Sequence, residues 1–311
     1  MRFQYGGEVI DELNHLLGKE MSTQYQISPS LPWNLKGKGN CGLWRHKICD
    51  WYYGFIDHFN FDREVVGVAI NYFDRYTSIT VSSLDDDDEH TLSAYCRIVA
   101  VTALFIAIKL HATSCEKVDD LLELRNRALR RILDDTTNPQ VVFDMEMIML
   151  KALEWCVNPP TLHQFAFILC DFHPLNEICA KSGSYIYEAT RFQAELAIFM
   201  PDLLANFKPS IIVYAAVKNA EEKIAAANPD ILTDDVKQTY EVIASKSGVI
   251  MDSAAVARCQ ILLKGLCPRL PDLDCLNDTK VVTPTTSIDM QMGRSISNSP
   301  KMVGAVDFDH L

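Results

Sequence analysis

The sequence predicts an all-α fold of two consecutive domains with five helices each. Apolar residues recur at helical spacing along most of the chain, and no stretch shows the convincing alternation of a strand. The prolines at 159 and 160 interrupt this pattern, because proline cannot donate a backbone hydrogen bond. They separate two helical blocks of roughly 100 residues, which is a common size for a domain.

These patterns divide the chain into four parts. Residues 1–39 predict a short N-terminal helix near 8–19 and then a linker rich in Pro, Gly and Asn. Residues 40–158 and 159–267 are expected to be the two five-helix domains. Residues 268–311 are rich in Asp, Thr and Ser and have little periodicity, which predicts a mostly disordered tail.

One helical pattern is apolar almost all round, which distinguishes it from the others. It lies near 91–111, and a helix of this kind must be surrounded by other helices. The remaining patterns of the first domain lie near 43–59, 62–77, 117–131 and 139–154. Those of the second lie near 161–171, 176–199, 209–227, 233–246 and 252–265.

Charge, cysteine usage and missing motifs limit the classes of function. The net charge of −12 argues against nucleic-acid binding, which needs a basic surface. The ten cysteines form no CxxC pair, and no secretory signal or long apolar run is evident, so we expect a reduced intracellular protein without a membrane segment. No phosphate loop or catalytic motif is present, and no cofactor or metal is expected.

Two charged residues lie within apolar helical patterns. Lys109 ends the run VTALFIAIKL (101–110), and Glu146 lies at the edge of the apolar stripe in VVFDMEMIMLKAL (141–153). The lysine can reach water at the helix end, and the glutamate can be an ordinary rim carboxylate. Alternatively, the two side chains form one pair that binds backbone groups at the end of a partner's helix.

A second opposed pair consists of Arg45, in LWRHKICDW, and Asp74, in INYFDRYTS. Both residues lie among aromatic residues. Arginine and a carboxylate can form two parallel hydrogen bonds. The sequence therefore favours a buried structural bridge that locks two helices together.

Taken in order, these motifs resemble the cyclin box. WRHKICDW, VAINYFDRY, LFIAIKL, DMEMIMLKALEW and NPPT follow the order and spacing of that family, most strongly across 43–165. The positions that match its motifs are Arg45, Asp50, Trp51, Asn71, Tyr72, Asp74, Arg75, Lys109, Met145, Glu146 and Leu150.

The resemblance implies a regulatory subunit that binds and activates a cyclin-dependent kinase during the cell cycle, in the nucleus or cytoplasm, and is not itself an enzyme. Lys109 and Glu146 would contact backbone groups near the end of the kinase's regulatory helix. Five further positions match the family's contact surface, and we expect them to form an exposed apolar patch: Ile106, Leu110, Leu150, Trp155 and Val157.

The sequence departs from the family where kinase substrates or inhibitors dock. The family has an apolar residue three positions after its first Met, but Lys47 stands there, and the Met position is Trp44. Together with Ile48 and Trp51, Trp44 forms only a degenerate version of that patch.

Three other features concern regulation and the class of protein. Thr283 and Ser299, each followed by Pro, are candidate phosphorylation sites in the tail. The stretch RRILDDTTN (130–138) has the form of a destruction signal, but we expect helix packing to hide it. The alternative class is a cyclin-fold adaptor or transcription-linked protein that does not activate a kinase, and an adaptor would not need Lys109 and Glu146.

Overall fold

The computed structural model describes residues 5–27, 41–80, 89–112, 118–134, 138–234, 236–238, 240–241, 253–267 and 270. Within these ranges every regular element is a helix, which confirms the all-α prediction. The elements up to residue 152 are α1 (Tyr5–Met21), a 3₁₀ turn (Thr23–Tyr25), α2 (Cys41–His58), α3 (Glu64–Thr80), α4 (Glu89–His111), α5 (Val118–Asp134) and α6 (Pro139–Ala152).

The helices that follow are α7 (Leu162–Asp171), α8 (Leu175–Ile178), α9 (Ala180–Ile198), α10 (Pro201–Asn206), α11 (Pro209–Ala227) and α12 (Ser253–Leu266). Residues 234, 236–238 and 240–241 are also helical. The predicted disordered tail lies outside the described residues, apart from residue 270, and Thr283 and Ser299 lie outside them too. Those predictions stay predictions.

The chain divides into two compact units. The first unit contains the described residues of His15–Leu162 and Ala197–Pro209. The second unit contains those of Met1–Asn14, His163–Leu196 and Ser210–Lys301. The predicted domain boundaries after residues 39, 158 and 267 stay predictions.

Helix α4 forms the centre of the first unit. It packs against α3, α5 and α6, and it also contacts α2. Every residue from 99 to 108 is buried, as the apolar pattern on all sides of the helix predicts. The last turn of α4, from Lys109 onward, reaches the surface, as does part of its first two turns around Ala94.

Helix α4 is both long and apolar. By length and composition alone, its segment Leu92–His111 could cross a membrane, with a mean hydropathy of 1.7. The expectation that no apolar segment is long enough was therefore wrong. However, 61% of that window is buried inside the protein, which is the environment of a central core helix.

A tight turn in the second unit splits the helix predicted near 176–199 into α8 and α9. Between them Cys179 is extended, with φ −151°. The Asn176 side chain donates to the carbonyls of Cys170 and Asp171, which lack intrahelical partners at the end of α7. A Cβ atom at Gly183 would lie 2.2 Å from the Asn176 Oδ1 atom, so only glycine fits opposite this cap.

A buried histidine–glutamate pair links α11 to the end of α7 in the second unit. The Nε2 atom of His173 lies 2.9 Å from Glu221 Oε1, and its Nδ1 atom accepts from the Leu175 backbone N–H. His173 therefore carries its proton on Nε2 and donates to the carboxylate. Lys218 adds a second contact to Glu221 at 3.0 Å.

Arg45 and Asp74 join α2 to α3 inside the first unit. Arg45 Nε lies 2.9 Å from Asp74 Oδ1, and Nη2 lies 2.7 Å from Oδ2, in the bidentate geometry. Both side chains are at most 1% exposed, and Arg45 Nη1 donates to the Ile198 carbonyl at 2.8 Å. Burial alone lowers the pKa of Arg45, but the Asp74 carboxylate outweighs it and raises that pKa, so the guanidinium stays charged.

We expect Asp74→Asn to lower the free energy of unfolding by about 3–5 kcal/mol, because it leaves the Arg45 charge buried without a counter-charge. Urea denaturation followed by circular dichroism measures this. The control is Asp57→Asn, which breaks the partly exposed bridge to Arg63 and should cost about 1 kcal/mol or less. Equal losses in the two variants would contradict a structural role for the buried pair.

Because two tyrosines are buried, we expect the free energy of unfolding to fall in alkali. Tyr52 and Tyr240 are fully buried and donate to the carbonyls of Ala100 and Leu169, and burial raises the pKa of both phenols well above 10. Tyrosines of the unfolded chain lose their protons first, near pH ~10, so the free energy of unfolding should fall as pH rises above that value. Urea denaturation at about pH 8 and pH 10.5 tests this. An unchanged free energy of unfolding would count against it.

Candidate protein-binding surface

Lys109 and Glu146 lie side by side at the surface of the first unit. The Lys109 Nζ atom is 2.6 Å from Glu146 Oε1, and the two side chains are 39% and 16% exposed. The ammonium also lies over the ring of Phe105, 5.1 Å from its centroid. The lysine thus reaches the surface at the helix end and is paired there.

The start of α6 places Glu146 next to the end of α4. Asn138 precedes the helix, and its side chain accepts from the Gln140 backbone N–H, while proline occupies the first helical position. Val142 and Met149 are fully buried and fix the inner side of α6. Glu146 lies between them in sequence, and its side chain is only partly buried.

The end of α4 suits a lysine. Cations are favourable at a helix C-terminus because the last carbonyls carry partial negative charge. One of these carbonyls, that of Lys109, accepts from Arg125 Nη1 at 3.3 Å, so α5 supports the end of α4.

The predicted apolar patch is only partly at the surface. Leu110 and Trp155 are 53% and 59% exposed, and Val157 is half-buried. Ile106 is 1% exposed, so its assignment to the patch was wrong, because α4 is enclosed by its neighbours as far as residue 108. Leu150 is 8% exposed and belongs to the core in the last turn of α6.

Sequence reasoning missed several exposed apolar residues on α6, and two of them belong with this surface. Phe143 and Met147 are 42% and 46% exposed, and the Phe143 ring packs edge-on against Phe105, with centroids 5.9 Å apart. Both lie on the same side of α6 as Leu150, at helical spacing. The signal was present, because this helix has more apolar residues than one buried stripe requires.

The turn after α6 has an unusual backbone. Glu154 and Trp155 have φ values of 53° and 59°, in the left-handed region that non-glycine residues avoid at a cost of roughly 1–2 kcal/mol each. The Trp155 N–H donates back to the Leu150 carbonyl at 2.9 Å. This turn carries the most exposed aromatic side chain of the candidate surface.

One residue of the predicted substrate-docking patch is buried. Ile48 is 1% exposed and shares the inner side of α2 with the buried residues Arg45 and Tyr52, so its assignment to a surface patch was wrong. Trp44 and Trp51 are half-buried, and the Trp51 ring lies 5.4 Å from that of Tyr52. Trp44 and Trp51 are therefore the residues of this patch that reach the surface.

Residues 17–158 match the family model described as the cyclin N-terminal domain. This part of the chain is a cyclin box. The match includes α2 to α6, and it therefore includes Lys109, Glu146 and the turn that carries Trp155. Among the residues that the structure describes, no group of three or more His, Cys, Asp or Glu could hold a metal ion.

The named relatives are distant cyclins. Cyclin-B2-1 of Arabidopsis thaliana is 24% identical over 158 residues, which cover 51% of this chain and 33% of that protein. The G1/S-specific cyclin CLN2 of Candida albicans is 24% identical over 216 residues, which cover 67% of this chain and 42% of that protein. The chain thus spans less than half the length of these relatives.

Among solved structures, the chain is similar to a viral cyclin from herpesvirus saimiri. The TM-score is 0.51 at 16% identity, and the match covers 82% of this chain and 97% of the viral one. At this identity the likeness concerns the fold alone.

The Lys109–Glu146 pair is partly exposed, so we expect it to contribute little to stability. Lys109→Ala and Glu146→Ala should each change the free energy of unfolding by about 1 kcal/mol or less. Urea denaturation compares them with Asp74→Asn, which should cost several times more. A loss as large as that of Asp74→Asn would show that the pair is structural.

Proposed function

We propose that this cyclin-box protein is the regulatory subunit of a cyclin-dependent protein kinase, which it binds and activates, and that it is not itself an enzyme. The observation that carries the proposal is the partly exposed Lys109–Glu146 pair, held on two helices beside exposed apolar residues. Membership of the cyclin-box proteins and the resemblance of both positions to the family's kinase contacts support it.

The chemistry of the pair suits the end of a partner's helix. The terminal N–H and C=O groups of a helix lack intrahelical partners. The Glu146 carboxylate can accept from such N–H groups, and the Lys109 ammonium can donate to such carbonyls. Leu110 and Trp155 would exclude water around these hydrogen bonds, which strengthens them.

The proposal extends to a role in the cell cycle and an intracellular location in the nucleus or cytoplasm. One similar protein is a G1/S-specific cyclin, which supports the first part. The second is supported by five cysteines that are free thiols, as in a reducing compartment: Cys49, Cys156, Cys170, Cys179 and Cys259. Thr283 and Ser299 remain candidate phosphorylation sites, and Trp44 and Trp51 the candidate contacts for substrates or inhibitors.

Affinity purification from cells tests the proposal. The wild-type chain should bring down protein kinase activity, and Lys109→Ala should reduce the affinity for that kinase about tenfold or more, as at an interface hot spot. The matched control is Lys151→Ala, which removes an exposed lysine of α6 and should bind as the wild type does. If the wild-type chain carries no kinase activity, the adaptor alternative is favoured instead.

A further inference from the structure

The strained turn 153–157 needs an external support. In the described residues, the other non-glycine residue with a positive φ is Asn60, a residue type that tolerates this conformation. Glu154 and Trp155 have no such tolerance, and they follow each other directly. Such a backbone persists only where the surrounding structure over-determines it, and such places are concentrated at functional sites.

The Val157 carbonyl provides one anchor of the turn. The Tyr72 hydroxyl donates to this oxygen, and His111 Nε2 lies 2.7 Å from it. Since a carbonyl only accepts, His111 must carry its proton on Nε2. Tyr72 is fully buried, and burial raises the pKa of its phenol, so the phenol keeps the proton that it donates.

Arg75 provides two further anchors. Its Nη1 atom donates to the Cys156 carbonyl at 2.9 Å, and its Nη2 atom donates to the Leu153 carbonyl at 3.3 Å. The guanidinium is held in turn by the ring of Tyr25, whose centroid lies 5.4 Å away. The carbonyls before and after the two strained residues are thus fixed from α3 and α4.

We infer that Tyr72, Arg75 and His111 are positioning residues, which hold the turn 153–157 in one conformation and thereby present Trp155 to the partner. The inference rests on the proposed function, because it concerns the same surface. His111 follows Leu110 directly, so it ties the exposed end of α4 to the turn after α6. A turn that is ordered before binding loses less conformational entropy when the complex forms, which favours binding.

Hydrogen exchange of the free chain tests the support without any partner. His111→Ala should speed exchange of the Trp155 amide about tenfold or more, because local opening of the turn becomes easier. His111→Gln, which keeps an N–H donor, should stay near the wild type. The control is His58→Ala, at an exposed position of α2. Unchanged exchange in His111→Ala would overturn the inference.

Relief of the strain distinguishes this support from general packing. Glycine adopts the left-handed conformation without a steric cost. Glu154→Gly therefore reduces the backbone strain that the hydrogen bonds to the turn must offset. In the Glu154→Gly background, His111→Ala should therefore speed exchange of the Trp155 amide less than it does alone. Equal acceleration in both backgrounds would mean that His111 does not act on the strained turn.

The affinity for the kinase tests the link to binding. His111→Ala should weaken binding about tenfold, and it should have little further effect in a chain that already carries Trp155→Ala. An equal loss in both backgrounds would show that His111 acts elsewhere and would overturn the positioning role. If the wild-type chain itself binds no kinase, the proposed function fails, and so does the presentation of Trp155 to that partner. The hydrogen-exchange experiments then still decide whether Tyr72, Arg75 and His111 hold the turn.

Discussion

The enclosure of α4 fixes the position of every group on the candidate surface. Because its neighbours bury the helix from residue 99 to residue 108, its C-terminal half emerges only at the last turn, and that turn carries both Lys109 and His111. The same packing sets α6 against α4, which brings Glu146 to the lysine. A loosened core would therefore displace the charges and the supported turn together.

The first unit uses two ion pairs in opposite ways. Arg45 donates two parallel hydrogen bonds to the buried Asp74 carboxylate and a third to a backbone carbonyl, so this pair joins helices. Lys109 and Glu146 meet where water still has access. An exposed pair adds little to folding, but its charges can be shared with another molecule. Burial and the bidentate guanidinium together separate the structural pair from the candidate binding pair.

Sequence patterns predicted what depends on helical periodicity. They predicted the all-α fold and the central position of α4, and Lys109 and Glu146 could be singled out because charges stood in apolar stretches. They did not predict the burial of Ile106 and Ile48, because a helix that is apolar on many sides gives no sign of which residues its neighbours cover. The left-handed turn was equally hidden, since its residues include no glycine or asparagine and its anchors come from distant helices.

The Phe105 ring beneath the Lys109 ammonium is a second favourable neighbour of that charge. The electron-rich face of the ring lies 5.1 Å from the lysine nitrogen and remains in place whichever acceptor the lysine uses. If Glu146 accepted from a partner's backbone N–H, as proposed, the ammonium would keep this one favourable neighbour. An exchange of the internal acceptor for one on the partner would then leave the lysine over the same aromatic face.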